Sequence, residues 1–121
     1  MILKNVAIEN GTETVQATLA SLAGTSTAVI PVGAVIHRVW YEPAVAGDDG
    51  GVTITIDGSG TDITIGTMSE ADVSQTAEHI VFDDGWVVGT GQAGVLKAVA
   101  TGSPTAGSGV LYALYTRAAK V

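Results

Sequence analysis

Turn-forming residues recur along this chain at short, regular intervals, and they constrain its fold more than any other feature. They stand at Asn10-Gly11, Gly24, Pro31 to Gly33, Gly47 to Gly51, Gly58 to Gly60, Asp84-Gly85, Gly89 to Gly94 and Gly102 to Gly109. Short runs rich in Val, Ile and Thr separate them. This spacing is typical of an antiparallel β-sandwich or barrel. No linker-like stretch divides the 121 residues, so we expect one domain, 1–121.

The clearest strand pattern is VTITIDGSGTDITIG, residues 52–66. Apolar and hydroxyl side chains alternate there, which is the period of a half-buried strand. We expect the apolar set to face the core, namely Val52, Ile54, Ile56, Ile63 and Ile65. Thr53 and Thr55 should then face outward, with residues 57–62 forming the turn of a hairpin.

Similar patterns predict seven further short segments of strand, and we expect a sandwich of about eight strands. The segments are 2–9, 12–20, 34–42, 80–83, 86–88, 94–101 and 110–117, with 2–9 and 12–20 forming a hairpin around Asn10-Gly11. In 12–20, Val15, Ala17 and Leu19 should be buried. In 34–42, strict alternation places Val35, His37, Val39 and Tyr41 on one face and Ile36, Arg38, Trp40 and Glu42 on the other. Pro43 should end that strand, because proline lacks a backbone donor.

Residues 69–79, SEADVSQTAEH, do not fit a strand. Ser69 is a suitable helix N-cap, and Asp72 stands at the capping-box position. The segment has few apolar residues, so the sequence allows either a short helix or a loop with one helical turn.

The balance of charge argues against nucleic acid as a partner. The chain has five Lys and Arg residues and twelve Asp and Glu residues, which gives a formal net charge of −7. Phosphate binding depends on clustered cations, and here the basic residues are scattered. There is no cysteine, hence no disulfide or thiol chemistry. No run is apolar enough for a signal peptide or a membrane span, so we expect no membrane partner.

The acidic turns suggest sites only at first sight. Asp57 and Asp62 flank a turn that could offer oxygens to calcium, but the EF-hand pattern is missing. Aspartate and glycine are ordinary turn residues, and we predict no metal and no cofactor. The pairs Asp48-Asp49 and Asp83-Asp84 could serve a small hydrolase only if the fold brought them together across a cleft.

Other motifs also have a structural explanation. Residues 89–94 match GxGxxG, but a strand pattern follows instead of the helix that a dinucleotide site needs. His37 and His79 are the only histidines and do not form a zinc-ligand cluster. Asn10-Gly11-Thr12 is a glycosylation sequon that the turn explains fully. We therefore predict no catalytic residue and no enzymatic activity.

The aromatic residues are the remaining candidates for a functional surface. Aromatic side chains most often pack in the core or at a subunit contact, where Trp and Tyr are enriched. We therefore predict an interface that contains Trp40, Tyr41, Trp86, Tyr112 and Tyr115.

Three stretches resemble small virion proteins of tailed bacteriophages. They are Ile30-Pro-Val-Gly-Ala-Val-Ile36, Gly51-Val-Thr-Ile-Thr-Ile-Asp-Gly58, and Ala98-Val-Ala-Thr-Gly-Ser-Pro-Thr-Ala-Gly107 followed by Val110-Leu-Tyr-Ala-Leu-Tyr115. The resemblance spans roughly residues 28–117 and implies a jelly-roll-like β-sandwich. Such modules occur in capsid decoration (cement) proteins and in head or tail fibres.

The resemblance implies a structural protein without catalytic residues. We expect a decoration protein made in the host cytoplasm, bound to the major capsid protein on the outside of the head, and stabilising the shell. Low charge further suggests self-association, with a homotrimer as the expected state. The alternative is a fibre module that binds carbohydrate or a host receptor.

Overall fold

The computed structural model describes residues 12–58, 62–89 and 93–117. Within these ranges the elements are β1 (Thr12–Ala20), β2 (Gly24–Ile30), β3 (Val35–Val45), β4 (Val52–Gly58), β5 (Ile63–Met68), α1 (Glu70–Val73), β6 (His79–Phe82), β7 (Trp86–Val87), β8 (Gly94–Ala100) and β9 (Ser108–Thr116). The predicted all-β class is confirmed. The predicted strand 2–9 and the Asn10-Gly11 turn lie outside the described residues.

The strands form two antiparallel sheets with a jelly-roll order. One sheet runs β1-β9-β3-β6, with β7 also paired to β3, and the other runs β2-β8-β4-β5. Strands β6 and β7 pair with successive parts of β3, so they act as one interrupted strand. Counted in that way, the orders become 1-8-3-6 and 2-7-4-5, an arrangement of eight strands in two sheets typical of jelly rolls.

The core lies between the sheets and follows strand alternation in most elements. In β1 the predicted residues Val15, Ala17 and Leu19 are buried. In β4 the buried set is Val52, Ile54 and Ile56, also as predicted, and Ile65 of β5 joins them while Ile63 packs against the core's edge. Tight burial of these side chains supplies the main stabilisation of the fold.

Strand β3 departs from the predicted alternation. Its buried residues are Ile36, Val39 and Tyr41, which a strict period of two cannot place on one face. The pairing with β9 explains this, because Ile36 lies opposite Tyr115 while Arg38 lies opposite Leu114. His37 is therefore the extra residue of a β-bulge. The predicted faces of this strand were wrong, since the bulge exchanges inside and outside after Ile36.

Two further predictions on strands need correction, and one strand lies in a segment for which no strand was predicted. Strand β3 continues through Pro43 to Val45, because a second irregularity in its pairing with β9 accommodates the proline. Strand β2 has no counterpart among the predicted strands, since GTSTAVI lacks clear alternation. Thr55 faces away from the core as predicted, yet only 6% of it is exposed, because it lies mid-sheet between Lys97 and Thr64.

Residues 69–79, whose sequence does not fit a strand, contain one helical turn. Helix α1 has Ser69 as its N-cap, and Asp72 completes a capping box. Val73 is its buried residue, and its carbonyl accepts a hydrogen bond from Gly47 N. Among the described residues, no helix is long and apolar enough to cross a membrane.

Candidate interaction surface

The five aromatic residues predicted to form an interface occupy three different environments. Tyr41 and Tyr115 are core residues, exposed by 0% and 2% respectively. Trp86 is half-buried on β7, and its indole Nε1 is buried without a hydrogen-bond partner in the described structure. Trp40 and Tyr112 are half-buried on the side of the five-stranded sheet that faces away from the core. The surface available to a partner therefore centres on Trp40 and Tyr112.

The bulge at His37 decides which β3 side chains reach this surface. Beyond the bulge, Val39 and Tyr41 point inward, so Arg38, Trp40 and Glu42 point outward. Strand β9 has no such irregularity over its second half, where buried Leu111, Ala113 and Tyr115 alternate with half-buried residues.

Trp40 and Tyr112 form a stacked cross-strand pair. The two residues are directly opposite in the β3–β9 register, and their ring centroids lie 5.1 Å apart at an interplanar angle of 14°. Such pairs contribute roughly 0.5–1.5 kcal/mol beyond the area that they bury. The pair holds both rings in defined positions at the centre of the sheet.

Two charged neighbours fix the indole of Trp40 further. The guanidinium carbon of Arg38 lies 5.2 Å from the ring centroid, within range of a cation–π interaction. Trp40 Nε1 donates a hydrogen bond of 3.0 Å to Glu42 Oε2. An aromatic side chain held in this way loses little conformational entropy when a partner binds.

The register extends this pair into a surface that we call the outer five-strand face. Its central row is Gln16, Tyr112, Trp40 and Ile80, one residue from each of four strands. The row on one side contains Thr14, Leu114 and Arg38, and the row on the other contains Thr18, Val110 and Glu42. The centre is thus apolar and aromatic, with threonines along β1 and one charge of each sign on β3.

The charged groups of this face have spare bonding capacity. Arg38 makes a long ion pair of 3.5 Å with Glu78, and both side chains are more than a third exposed. Exposed pairs of this kind contribute little to stability. Glu42 accepts one bond from Trp40, whereas a carboxylate can accept about four.

Asp57 and Asp62 belong to a small surface ion cluster with Lys97, whereas residues 59–61 of the predicted turn lie outside the described residues. Lys97 Nζ on β8 lies 3.4 Å from Asp57 Oδ2 and 3.7 Å from Asp62 Oδ2. A hydrogen bond between the two carboxyl groups lowers the pKa of Asp57 and raises the pKa of Asp62. The first carboxyl to ionise is stabilised by the proton that the other retains, and that proton is then harder to remove. The Lys97 ammonium group thus offsets one of the two negative charges of this cluster.

The two other acidic pairs are far apart. Asp48 Oδ1 accepts hydrogen bonds from Thr105 N and Ala106 N at 2.9 and 3.2 Å, and Asp49 Oδ2 accepts one from Ser103 N at 2.9 Å. Through these hydrogen bonds the two carboxylates hold the loop after β8 in place. Asp83 and Asp84 instead lie between β6 and β7, beside the start of β3. About eight residues of β3, or roughly 26 Å, separate the two levels, which is too far for a glycosidase-like pair.

Gly94 and the two histidines also have structural roles, while residues 90–92 of the GxGxxG match lie outside the described residues. Gly94 opens strand β8, and its backbone lies so close to Asp57 O that an added Cβ would stand 2.3 Å away. His37 Nε2 shares a hydrogen bond of 2.9 Å with Thr116 Oγ1, and His79 Nε2 lies 3.5 Å from Asp72 Oδ2. In the described part of the chain no three His, Cys, Asp or Glu side chains are grouped to hold a metal ion.

Comparison with known proteins identifies a relative in fold. No protein-family model matches the chain, and a search of curated proteins finds no match. Among solved structures, the chain is similar to one from the acid-stable capsid of Helicobacter pylori bacteriophage KHP30, with a TM-score of 0.60 and 16% sequence identity. The similarity covers 87% of this chain and 86% of that chain. The two proteins thus share a fold over nearly their whole lengths.

Proposed function

We propose that this protein is a structural component of a tailed-phage virion, specifically a decoration protein on the outer surface of the head. The observation that carries the proposal is the fold shared with a chain of a phage capsid, at a TM-score of 0.60 over 87% of this chain. The phage-like sequence stretches at residues 30–36, 51–58, 98–107 and 110–115 support it independently. In this role the partner is the major capsid protein, and the activity is binding rather than catalysis.

The charge of the protein suits an outer position. A chain with a net charge of −7 is repelled by the phosphates of packaged DNA, so it gains nothing from facing the interior. Many identical weak contacts on an ordered shell add up through multivalency. A closed homotrimer would multiply the contacts of each unit, and we include that state in the proposal.

Heads prepared from a phage that lacks this gene provide the test. Purified protein should co-sediment with such heads at a saturating, stoichiometric ratio and should raise the temperature at which the heads release their DNA. Absence of saturable binding to heads, together with binding to tails, would contradict the decoration role. Ile54→Ala, which we expect to be destabilised, should bind equally well at a temperature where it remains folded, and so separates binding from stability.

A carbohydrate- or receptor-binding fibre module is the second candidate. The observation that favours it is the partly exposed row around Trp40, with the polar side chains Arg38, Glu42 and Gln16 on the same face. A glycan array decides between the two. Binding to a defined glycan that Trp40→Ala abolishes would support the fibre role, and no binding to any glycan would remove its basis.

A further inference from the structure

We propose that the outer five-strand face is the surface through which copies of this chain bind one another, with Arg38 of one copy opposite Glu42 of the next. The inference rests on self-association, which belongs to the proposed function, but not on binding to a capsid. It commits to a second copy of the same chain as the occupant of the face.

The composition of the face fits a protein partner. Tryptophan, tyrosine and arginine are the residue types that most often dominate binding energy at interfaces, and here Arg38, Trp40 and Tyr112 form one contacting group. Ile80, next to Trp40 in the register, is 44% exposed, which is high for a large apolar side chain. Threonines along β1 provide a flat, uncharged margin beside this centre.

The order of charges on β3 indicates which partner fits. Arg38, Trp40 and Glu42 follow one another on the same face, with the positive and negative groups about 14 Å apart along the strand. They are too far apart to pair within one chain. A second copy placed with its arginine end beside the glutamate end of the first brings opposite charges together while the aromatic centres remain in contact.

This arrangement is complementary to itself and needs no other molecule. A head-to-tail contact between the two ends of the same face can close into a ring of three. Like charges would meet if the second copy were turned the other way, which costs binding energy and so selects one orientation.

Exchanging the charges at Arg38 and Glu42 tests the proposal. Sedimentation velocity at high micromolar concentration measures the state of assembly of each variant. The wild type should sediment as a multiple of the 12.1 kDa chain. Arg38→Glu and Glu42→Arg should each raise the dissociation constant at least tenfold, because like charges then meet at the contact. The double variant Arg38→Glu/Glu42→Arg should restore assembly, since the two groups exchange places and attract again.

Mixing the two single variants adds an independent measurement. One variant carries two glutamates and the other two arginines, so a mixed contact is attractive. The mixture should therefore associate although each variant alone does not. In a three-membered ring one contact stays like-charged, so the mixture should assemble less completely than the double variant.

Two control variants exclude indirect effects. Glu78→Gln removes the internal partner of Arg38 and should leave assembly unchanged. Thr67→Arg places a new charge on the outer side of the other sheet, where Thr67 is paired with Thr53, and should also have no effect. Circular dichroism confirms that each variant is folded.

Three results would overturn the inference. They are a monomeric wild type, single variants as oligomeric as the wild type, and a double variant that is folded but not restored. A monomeric wild type would remove self-association alone, because binding to phage heads is measured separately.

Discussion

At one irregularity in the pairing of strands, a side-chain hydroxyl group makes the hydrogen bonds that a backbone partner would otherwise make. The β2–β8 register shifts between Thr25 and Val29, which leaves Leu96 N without a strand partner at that level. Ser26 Oγ accepts a hydrogen bond of 2.9 Å from Leu96 N and donates one of 2.8 Å to Ala28 O. Because Ser26 is only 5% exposed, water cannot replace these bonds.

We therefore expect Ser26→Ala to destabilise the protein by about 1–3 kcal/mol, the cost of leaving a buried donor unpaired. Urea unfolding measures this directly. Thr27→Ala, one residue further along and exposed, is the control and should change stability by about 0.5 kcal/mol or less. Equal effects of the two substitutions would contradict a specific role for the Ser26 hydroxyl.

Asp48 should make stability depend on pH. Hydrogen bonds from the Thr105 hydroxyl and from the Ala106 and Thr105 backbone lower the pKa of Asp48 below its ordinary value. A lowered pKa adds stability above the unfolded-state value of about 4, and this stability is lost as the pH falls through the native value. Asp48→Asn should thus lower the melting temperature at pH 7, with a difference that shrinks towards pH 2.

Asp62→Asn is the control, because the pKa of Asp62 is shifted in the direction opposite to that of Asp48. The pKa of Asp62 is raised, chiefly by the hydrogen bond with Asp57, so its contribution is present at low pH and lost as the pH rises through the native value. Replacing it by a neutral amide should not lower the melting temperature at pH 7. A pH-independent loss in Asp48→Asn would show that its carboxylate charge has no part in holding the loop.

At the scale of elements, the β-bulge in β3 and the turn between β1 and β2 decide how the strands present their side chains. The turn uses Ser21 and Leu22 at φ values of 50° and 60°, although Asn and Gly are the usual residues there. Leu22 is fully buried, and its amide bonds to Gly107 O at 2.9 Å. Burial of the leucine offsets the strain of its backbone, which is of order 1–3 kcal/mol.

Deletion of His37 should leave the protein folded, which is an unusual expectation for a residue inside a strand. Without it, Ile36, Val39 and Tyr41 follow a regular period of two, and the β9 partners Tyr115 and Leu114 remain consecutive. Deletion of exposed Gln16 is the control, because β1 pairs with β9 without any irregularity. That deletion turns half of β1 inside out and should cost several kcal/mol.

Thermal unfolding followed by circular dichroism compares the two deletions. A cooperative transition for the His37 deletion and none for the Gln16 deletion is the expected pair of results. If both deletions unfolded the protein to the same extent, the bulge would be required for the fold rather than tolerated by it.

Strand β4 is the element whose core side the sequence predicts best. Ile54→Ala should destabilise by about 2–5 kcal/mol, since the residue is completely buried between the sheets. Thr53→Ala, on the opposite side of the same strand, should cost under about 1 kcal/mol. Denaturant titrations of both variants check the difference, and similar losses would mean that the strand is shifted by one residue.

At the scale of the whole molecule, the acidic pairs form no cluster for a metal ion within the described residues. Melting curves recorded with calcium and with EDTA should therefore coincide. A site occupied at a hundred times its dissociation constant would add about 2.7 kcal/mol and raise the melting temperature by roughly 10 °C. A shift of that size would show that an acidic turn binds calcium.

The sequence by itself determined the all-β class, the core side of β1 and β4, and the capping box that begins α1. These features depend on local spacing: a period of two, a turn residue, or a side chain that bonds three residues ahead. No long-range contact was needed for any of these conclusions.

Only the tertiary structure decided which aromatic residues face outward. From the sequence alone, strict alternation in β3 places Tyr41 on the same face as His37 and Ile36 on the same face as Trp40. The bulge appears only when β3 pairs with β9, about seventy residues later, and that pairing buries Tyr41 and Tyr115 while it stacks Trp40 on Tyr112. Packing between distant strands overrides the local period here, because burying Ile36, Val39 and Tyr41 together stabilises the protein more than one regular ladder step.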